Sequence, residues 1–252
     1  MPTALALSPH LDDAAFSCGG TLATLAASGW RVVMATVFTQ SVPGPTGFAL
    51  ACQLDKGLDA SVDYMRLRRA EDEAAARCLG VEVRHLPFRE APHRGYGSAP
   101  DLFAEPHADD GIVEHLVPAF RALLNDIAPD LILAPQAIGG HVDHLQVVAA
   151  FRRIGSRQPV LWWRDFPYTV RDTVPKAPLA ASFAGLPVRQ VDLDRAAQEA
   201  KAEACAAYAT QLGFQFGGRA ALMDCLGAEG GRERVSVAGI LPDGCPGFDA
   251  AA

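Results

Sequence analysis

The sequence lacks any apolar run long enough to cross a bilayer. Its first residues, MPTALALSPHLDD, lack the basic start and small-residue cleavage site of a secretory leader. A cytoplasmic protein without a membrane span is the expectation. Clustered basic residues are also missing. Lys and Arg number 22 against 29 Asp and Glu, a formal net charge of −7, which excludes a general nucleic-acid surface because phosphate contacts need grouped cations. The local run Arg66, Arg68, Arg69 gives way at once to Glu71, Asp72 and Glu73. It reads first as a helix face, and second as a source of one arginine for an anionic substrate. Cysteine is present six times but never as C-x-x-C, so reduced thiols are expected rather than a disulfide framework.

With 50% hydrophobic residues in 252, the chain can bury a substantial core as one domain. No repeat or low-complexity linker divides residues 1–252. ALALS at 4–8 reads as a buried strand, residues 14–29 as a helix ending at Gly29, and RVVMATVF at 31–38 as a second buried strand. Strand, helix, strand in that order implies a right-handed βαβ unit and a parallel sheet. Further strands are expected at 81–88, 129–135, 160–168 and, as an edge, 189–194. Helices are expected at 64–79, at 112–127 with Pro118 bending or delaying it, from 145, and as one piece over 195–213. The fold class is α/β, Rossmann-like, a mostly parallel sheet with helices on both faces. Residues 40–63 and 90–108, rich in Pro and Gly, are expected as loops framing a cleft.

Two clusters carry chemistry. PHLDD follows the first strand and GGHVDH follows the fourth. In an open parallel sheet both fall at the carboxyl edge, where such sheets bind ligands. His10 and Asp13, three apart at a strand-to-helix turn, can face one point, and His144 completes three ligands for a zinc-like metal with one position left for water. Asp12 is then available to take a proton from that water. The plainer readings are that Asp12 and Asp13 cap the helix, and that His141 and His144 form a surface turn or pack against their helix. His85, His93, His107 and His115 have no such context, although His93 and His107 fall in loops that can touch substrate. Gly19 and Gly20 inside a helix suggest close backbone packing. Trp162, Trp163, Phe166 and Tyr168 suit a sugar-stacking wall and a core equally well.

PHLDD, the helix containing GG, and GGHVDH together resemble the zinc-dependent de-N-acetylases that act on N-acetylglucosaminyl phosphatidylinositol and on mycothiol and bacillithiol precursors, the LmbE-like or PIG-L-like family. RRAEDEAAARCLG at 68–80, WWRDFPY at 162–168 and KAEACAAYATQ at 201–211 are similar to further family segments. The resemblance implies a Rossmann-like fold and hydrolysis of an acyl group from the nitrogen of an N-acetylglucosamine-type sugar, a small-molecule substrate. It implies Zn²⁺ or another divalent metal on His10, Asp13 and His144, and Asp12 as general base. It further implies His141 as the group that stabilises the oxyanion and protonates the leaving amine, Asp143 as the carboxylate orienting His141, and Arg68 as a substrate contact. Two departures stand out: Leu11 occupies the place of the family's proline and Ala14 that of its glutamate. Hydrolysis of another acyl amide or an ester at the same metal centre, and carbohydrate binding without catalysis, are the alternatives. A homo-oligomer is compatible with the sequence and not required by it.

Overall fold

The computed structural model describes residues 1–171 and 174–248. One seven-stranded sheet runs through it: β1 (Thr3–Ser8), β2 (Arg31–Thr36), β3 (Glu82–His85), β4 (Leu131–Pro135), β5 (Val160–Trp163), β6 (Val188–Asp192) and β7 (Arg232–Ala238). The spatial order is β3-β2-β1-β4-β5-β7-β6. The first five strands are parallel, and β7 pairs antiparallel with both β5 and β6. This is a single α/β domain of Rossmann-like design.

Strand periodicity divides the core in two. Ala4 and Ala6 of β1, with Val32, Met34, Leu131 and Leu133, face α1 (Asp13–Ala27), α3 (Tyr64–Leu79) and α9 (Arg195–Ala207). Leu5 and Leu7, with Val33, Ala35 and Ile132, face α5 (Ile112–Ile127) and α6 (Val142–Ile154). Both faces of the central strands are therefore apolar, as expected where helices cover both sides. Trp162 and Trp163 go to opposite faces of this core and Phe166 joins the first, so none of the three forms a sugar wall. β1 lies between β2 and β4, so the crossover direction reverses beside it. That reversal opens a crevice at the carboxyl ends of β1 and β4, where both motifs begin.

The remaining helices are α2 (Gly47–Leu54), α10 (Ala209–Phe216), α11 (Arg219–Ala228) and three single turns, α4 (Ala99–Leu102), α7 (Tyr168–Arg171) and α8 (Ala180–Phe183). Several differ from the expectation. Residues 40–63 are not wholly irregular, because GFALACQL forms α2. The helix expected over 195–213 breaks at Tyr208, whose ψ of 58° ends α9 and starts α10. Its buried hydroxyl donates to Asp72 at 2.6 Å, a tertiary bond that outweighs helix propensity. α5 runs on through Pro118. No helix among the described residues is long and apolar enough to cross a membrane.

Candidate metal centre

The turn after β1 is held by its own backbone. Ser8 Oγ donates to the His10 carbonyl (2.7 Å) and accepts from the Ala14 amide (3.0 Å), while the Asp12 amide donates to the His10 carbonyl (3.0 Å). Asp12 is thereby fixed at φ 156°, ψ −32°, a region costly for a residue with a side chain and found where function over-determines the backbone. Leu11, in the place of a proline, is fully buried, and its carbonyl accepts from Arg68 Nη2 at 3.0 Å. Tertiary hydrogen bonding thus supplies rigidity that a ring would otherwise provide. Ala14 is also fully buried, in the core.

The second motif needs its glycines. Gly139 and Gly140 have φ of 96° and 75°, and a Cβ on Gly139 would lie 2.5 Å from the Tyr168 ring. The chain then enters α6 with His141 as its N-cap, whose Nδ1 accepts from the Asp143 amide at 3.1 Å.

Ligand atoms of His10, Asp13 and His144 lie within 4.8 Å of one another. Asp13 Oδ2 is 3.3 Å from His10 Nδ1 and 3.1 Å from His144 Nε2. His144 is wholly buried, and its Nε2 has no hydrogen-bond partner. Two imidazole nitrogens and one carboxylate oxygen, one nitrogen an orphan, make a donor set suited to zinc with a fourth position to spare. His10, His141 and Asp143 also lie close enough to share an ion. They fit it less well, because Asp143 is engaged by Arg94 Nη2 (2.7 Å), the Ala91 amide (3.1 Å) and His10 Nε2 (2.8 Å).

Each metal-facing ring is braced through its other nitrogen: His10 by Asp143, and His144 by Asp165 at 2.8 Å. Such carboxylate braces fix tautomer and ring orientation. The carboxylate of Asp143 therefore meets His10 and not His141, because the cap geometry turns the Asp143 amide, rather than its side chain, toward His141. Asp165 and Arg94 escaped the sequence reading, although WWRDFPY contained the aspartate.

The charges follow from burial and neighbours. Burial opposes protonation of His10, but hydrogen bonds and charge from Asp13 and Asp143 outweigh it and raise the ring to about 9. Burial likewise opposes charge on His144, and Asp13 and Asp165 outweigh it. Asp13 is held below the usual carboxylate range because, against burial, the two imidazoles favour its charge. Asp12 is pushed up to about 7 by burial, with Arg68 opposing and Asp13 reinforcing. His141 is pushed down to about 3 by burial and the charge on His10, so the ring is neutral. Since its Nδ1 accepts a hydrogen bond, its proton is on Nε2.

Arg68 is 5% exposed and extends its guanidinium to Glu90 (2.5 Å), the Leu11 carbonyl and Asp12 Oδ2 (3.5 Å). It braces the first motif while also lining the cleft. That cleft, about 320 Å³, is lined by His10, Asp12, Asp13 and His141 with Phe48, Phe103, Tyr168 and Phe214. Residues from 42–63 and 90–103 contribute to its walls, His93 among them. His107 instead stacks on Tyr96 and pairs with Asp101.

Residues 5–154 match the model of the family described as GlcNAc-PI de-N-acetylase, PIG-L. The chain belongs to the PIG-L family. As a member with this donor set, it is a zinc-dependent deacetylase. The 2′-N-acetylparomamine deacetylase of Streptomyces fradiae is 35% identical over 201 residues, 77% of this chain and 68% of that protein. The enzyme of the same name from Niallia circulans is 30% identical over 184 residues, 64% of this chain and 66% of its own length. Among solved structures, a teicoplanin deacetylase in its zinc-inhibited form superposes with a TM-score of 0.79 at 26% identity, covering 96% of this chain and 99% of the other. An A40926 pseudoaglycone deacetylase gives 0.77 at 28%, covering 95% and 98%. The two solved structures thus match nearly the whole chain.

Proposed function

We propose that the chain removes the acetyl group from the acetamido nitrogen of a glucosamine-type sugar carried on a larger glycoside. The observation that carries this reading is the convergence of His10, Asp13 and His144 on one point in the cleft, with Asp12 beside it. Relatives named as deacetylases of 2′-N-acetylparomamine, teicoplanin and the A40926 pseudoaglycone favour a glycosidic amino sugar as the common element.

His10, Asp13 and His144 would hold zinc, which lowers the pKa of a water and polarises an acyl oxygen. Asp12, titrating near 7, is matched to accept the proton of the attacking water and return it to the departing nitrogen. His141, neutral with its proton on Nε2, donates a hydrogen bond to the oxyanion that develops as the carbonyl becomes tetrahedral. On this assignment the amine's proton comes from Asp12, because a ring held near 3 does not carry a second proton at neutral pH. Asp143 and Asp165 keep the two ligand rings in place, and Arg68 sets the position of Asp12. The walls drawn from 42–63 and 90–103 select the sugar and its aglycone. Free thiols at Cys18, Cys52, Cys78, Cys205 and Cys225 suit the cytoplasm.

The test is acetate release by zinc-loaded protein from N-acetylglucosamine, its simple glycosides and 2′-N-acetylparomamine, with zinc content measured on the same sample. Release that depends on zinc and disappears on chelation is expected. Fully loaded protein that hydrolyses simple acyl esters and none of the acetamido sugars would overturn the assignment.

A further inference from the structure

A second pocket, about 210 Å³, shares no lining residue with the cleft. Ser17, Thr169, Lys201, Arg164, Arg232 and Arg234 supply its walls, with Glu229 and Glu233 as the only acids. A chain of net charge −7 thus gathers four cations around one small concavity.

The sheet register makes this grouping unavoidable. Trp163, the last residue of β5, is paired with Val235 of β7 in antiparallel register, so continuing that register one residue past the strand end brings Arg164 beside Arg234. Arg232 lies two residues along β7, on the same face. Like charges directly opposite on paired strands are destabilising. Arginines often protect an exposed sheet edge, but β7 is an interior strand, flanked by β5 and β6. Arg232 reaches Asp192 at 3.4 Å. Arg164 and Arg234 make no ion pair among the described residues.

The acids offset the cations only in part. Glu233 is buried and saturated: it accepts from the amides of Gly20 (2.9 Å) and Thr21 (2.8 Å), from Thr21 Oγ1 (2.5 Å) and from Lys201 Nζ (2.7 Å). Glu229 is exposed. On the inner side, Lys201 is 6% exposed and gives one of its three donors to Glu233. Ser17 is 7% exposed, and its oxygen accepts from the Phe166 amide, which leaves its hydroxyl proton to donate. Buried donors from Ser17 and Lys201 and three arginines thus line one pocket, with Glu229 the one lining carboxylate not already engaged among the described residues.

We propose that this pocket binds an oxyanion, a phosphate or sulfate or the phosphoryl group of a small ester, between Arg164 and Arg234. Planar guanidinium groups meet such oxygens through paired hydrogen bonds. The volume is below that usual for drug-sized ligands and suits a compact anion. The wall formed by Arg164, Phe166 and Thr169 belongs to the segment that carries Asp165, the brace of His144, and Tyr168 of the cleft, so the occupant orders a segment on which the metal centre depends.

The experiment uses zinc-loaded protein titrated with inorganic phosphate, sulfate and glucose 6-phosphate, with sodium chloride matching ionic strength throughout. A saturable rise in the unfolding midpoint of about 3 °C at ten times the dissociation constant is expected, absent with chloride. The three probes separate a free-ion site from one for phosphate esters. Arg164→Gln and Arg234→Gln should each weaken binding at least ten-fold and leave zinc content unchanged. An anion effect that persists undiminished in both variants would place the anion elsewhere and overturn the proposal. So would the absence of any saturable shift in the parent protein with all three probes.

Discussion

Helix α1 presents backbone amides at two places, and an acid stands at each. At the kink around Cys18, where φ/ψ leave the helical region, Glu233 receives the amides of Gly20 and Thr21 and a buried lysine. At the true start, Asp12 makes no capping hydrogen bond, and its Oδ2 is buried without a hydrogen-bond partner. A carboxylate with every lone pair met is structural. One kept buried, strained and unsatisfied costs stability, and persists where it has other work. The contrast removes helix capping as the explanation of Asp12 and assigns it instead to Glu233, 221 residues further along.

Substitution at the two acids should separate these roles. Asp12→Asn keeps shape, so the fold and bound zinc should survive while kcat falls by a factor on the order of 10²–10⁴. Added zinc should not rescue it. The measurement is kcat alongside metal stoichiometry and thermal unfolding; a near-parental rate at full zinc would end the assignment of Asp12 as base. Glu233→Gln should do the reverse. It leaves Lys201 buried without a counter-charge, a loss of about 3–5 kcal/mol, read as a lowered denaturant midpoint, with kcat per folded molecule close to parental.

A smaller effect is expected at the braces. Asp165→Asn and Asp143→Asn should weaken zinc binding by about 10–100-fold. The two losses should be similar, because each ring has one carboxylate brace at 2.8 Å and each faces Asp13 through its other nitrogen. Competition with a chelator of known affinity reads this directly, and clearly unequal losses would show that the two rings are not braced alike.

The smallest effect is with pH. Without zinc, His10 and His144 hold protons because their folded-state pKa values are raised, His10 to about 9. Zinc must displace those protons, so its apparent affinity should climb as pH rises from 6 toward 9. A flat profile over that range would mean that the rings are already neutral in metal-free protein.

Short-range patterns carry what is legible in the sequence. Apolar runs at 4–8, 31–38 and 129–135 mark strands that the structure places at Thr3–Ser8, Arg31–Thr36 and Leu131–Pro135, and the two motifs mark their own turns. Elsewhere a distant partner decided the outcome. Tyr208 breaks a helix to reach Asp72. The strand Arg232–Ala238 alternates exposed and buried positions only over its first four residues, and its place between β5 and β6 depends on sheet order, which no local pattern encodes.

The sequence by itself determined the chemistry available: three histidines and three aspartates after the ends of two strands, in motifs specific enough to name a family. Local spacing sets which residues leave a strand end together, so that much could be read directly. Only the tertiary structure decided how those groups are held. Asp143 meets His10 rather than His141, Asp165 comes from a third strand end, Arg68 grips the turn where a proline is missing, and Arg164 and Arg234 line one pocket. Each of these pairings joins residues far apart in the chain. Orientation and charge at such contacts depend on packing, and packing exists only once the sheet has assembled.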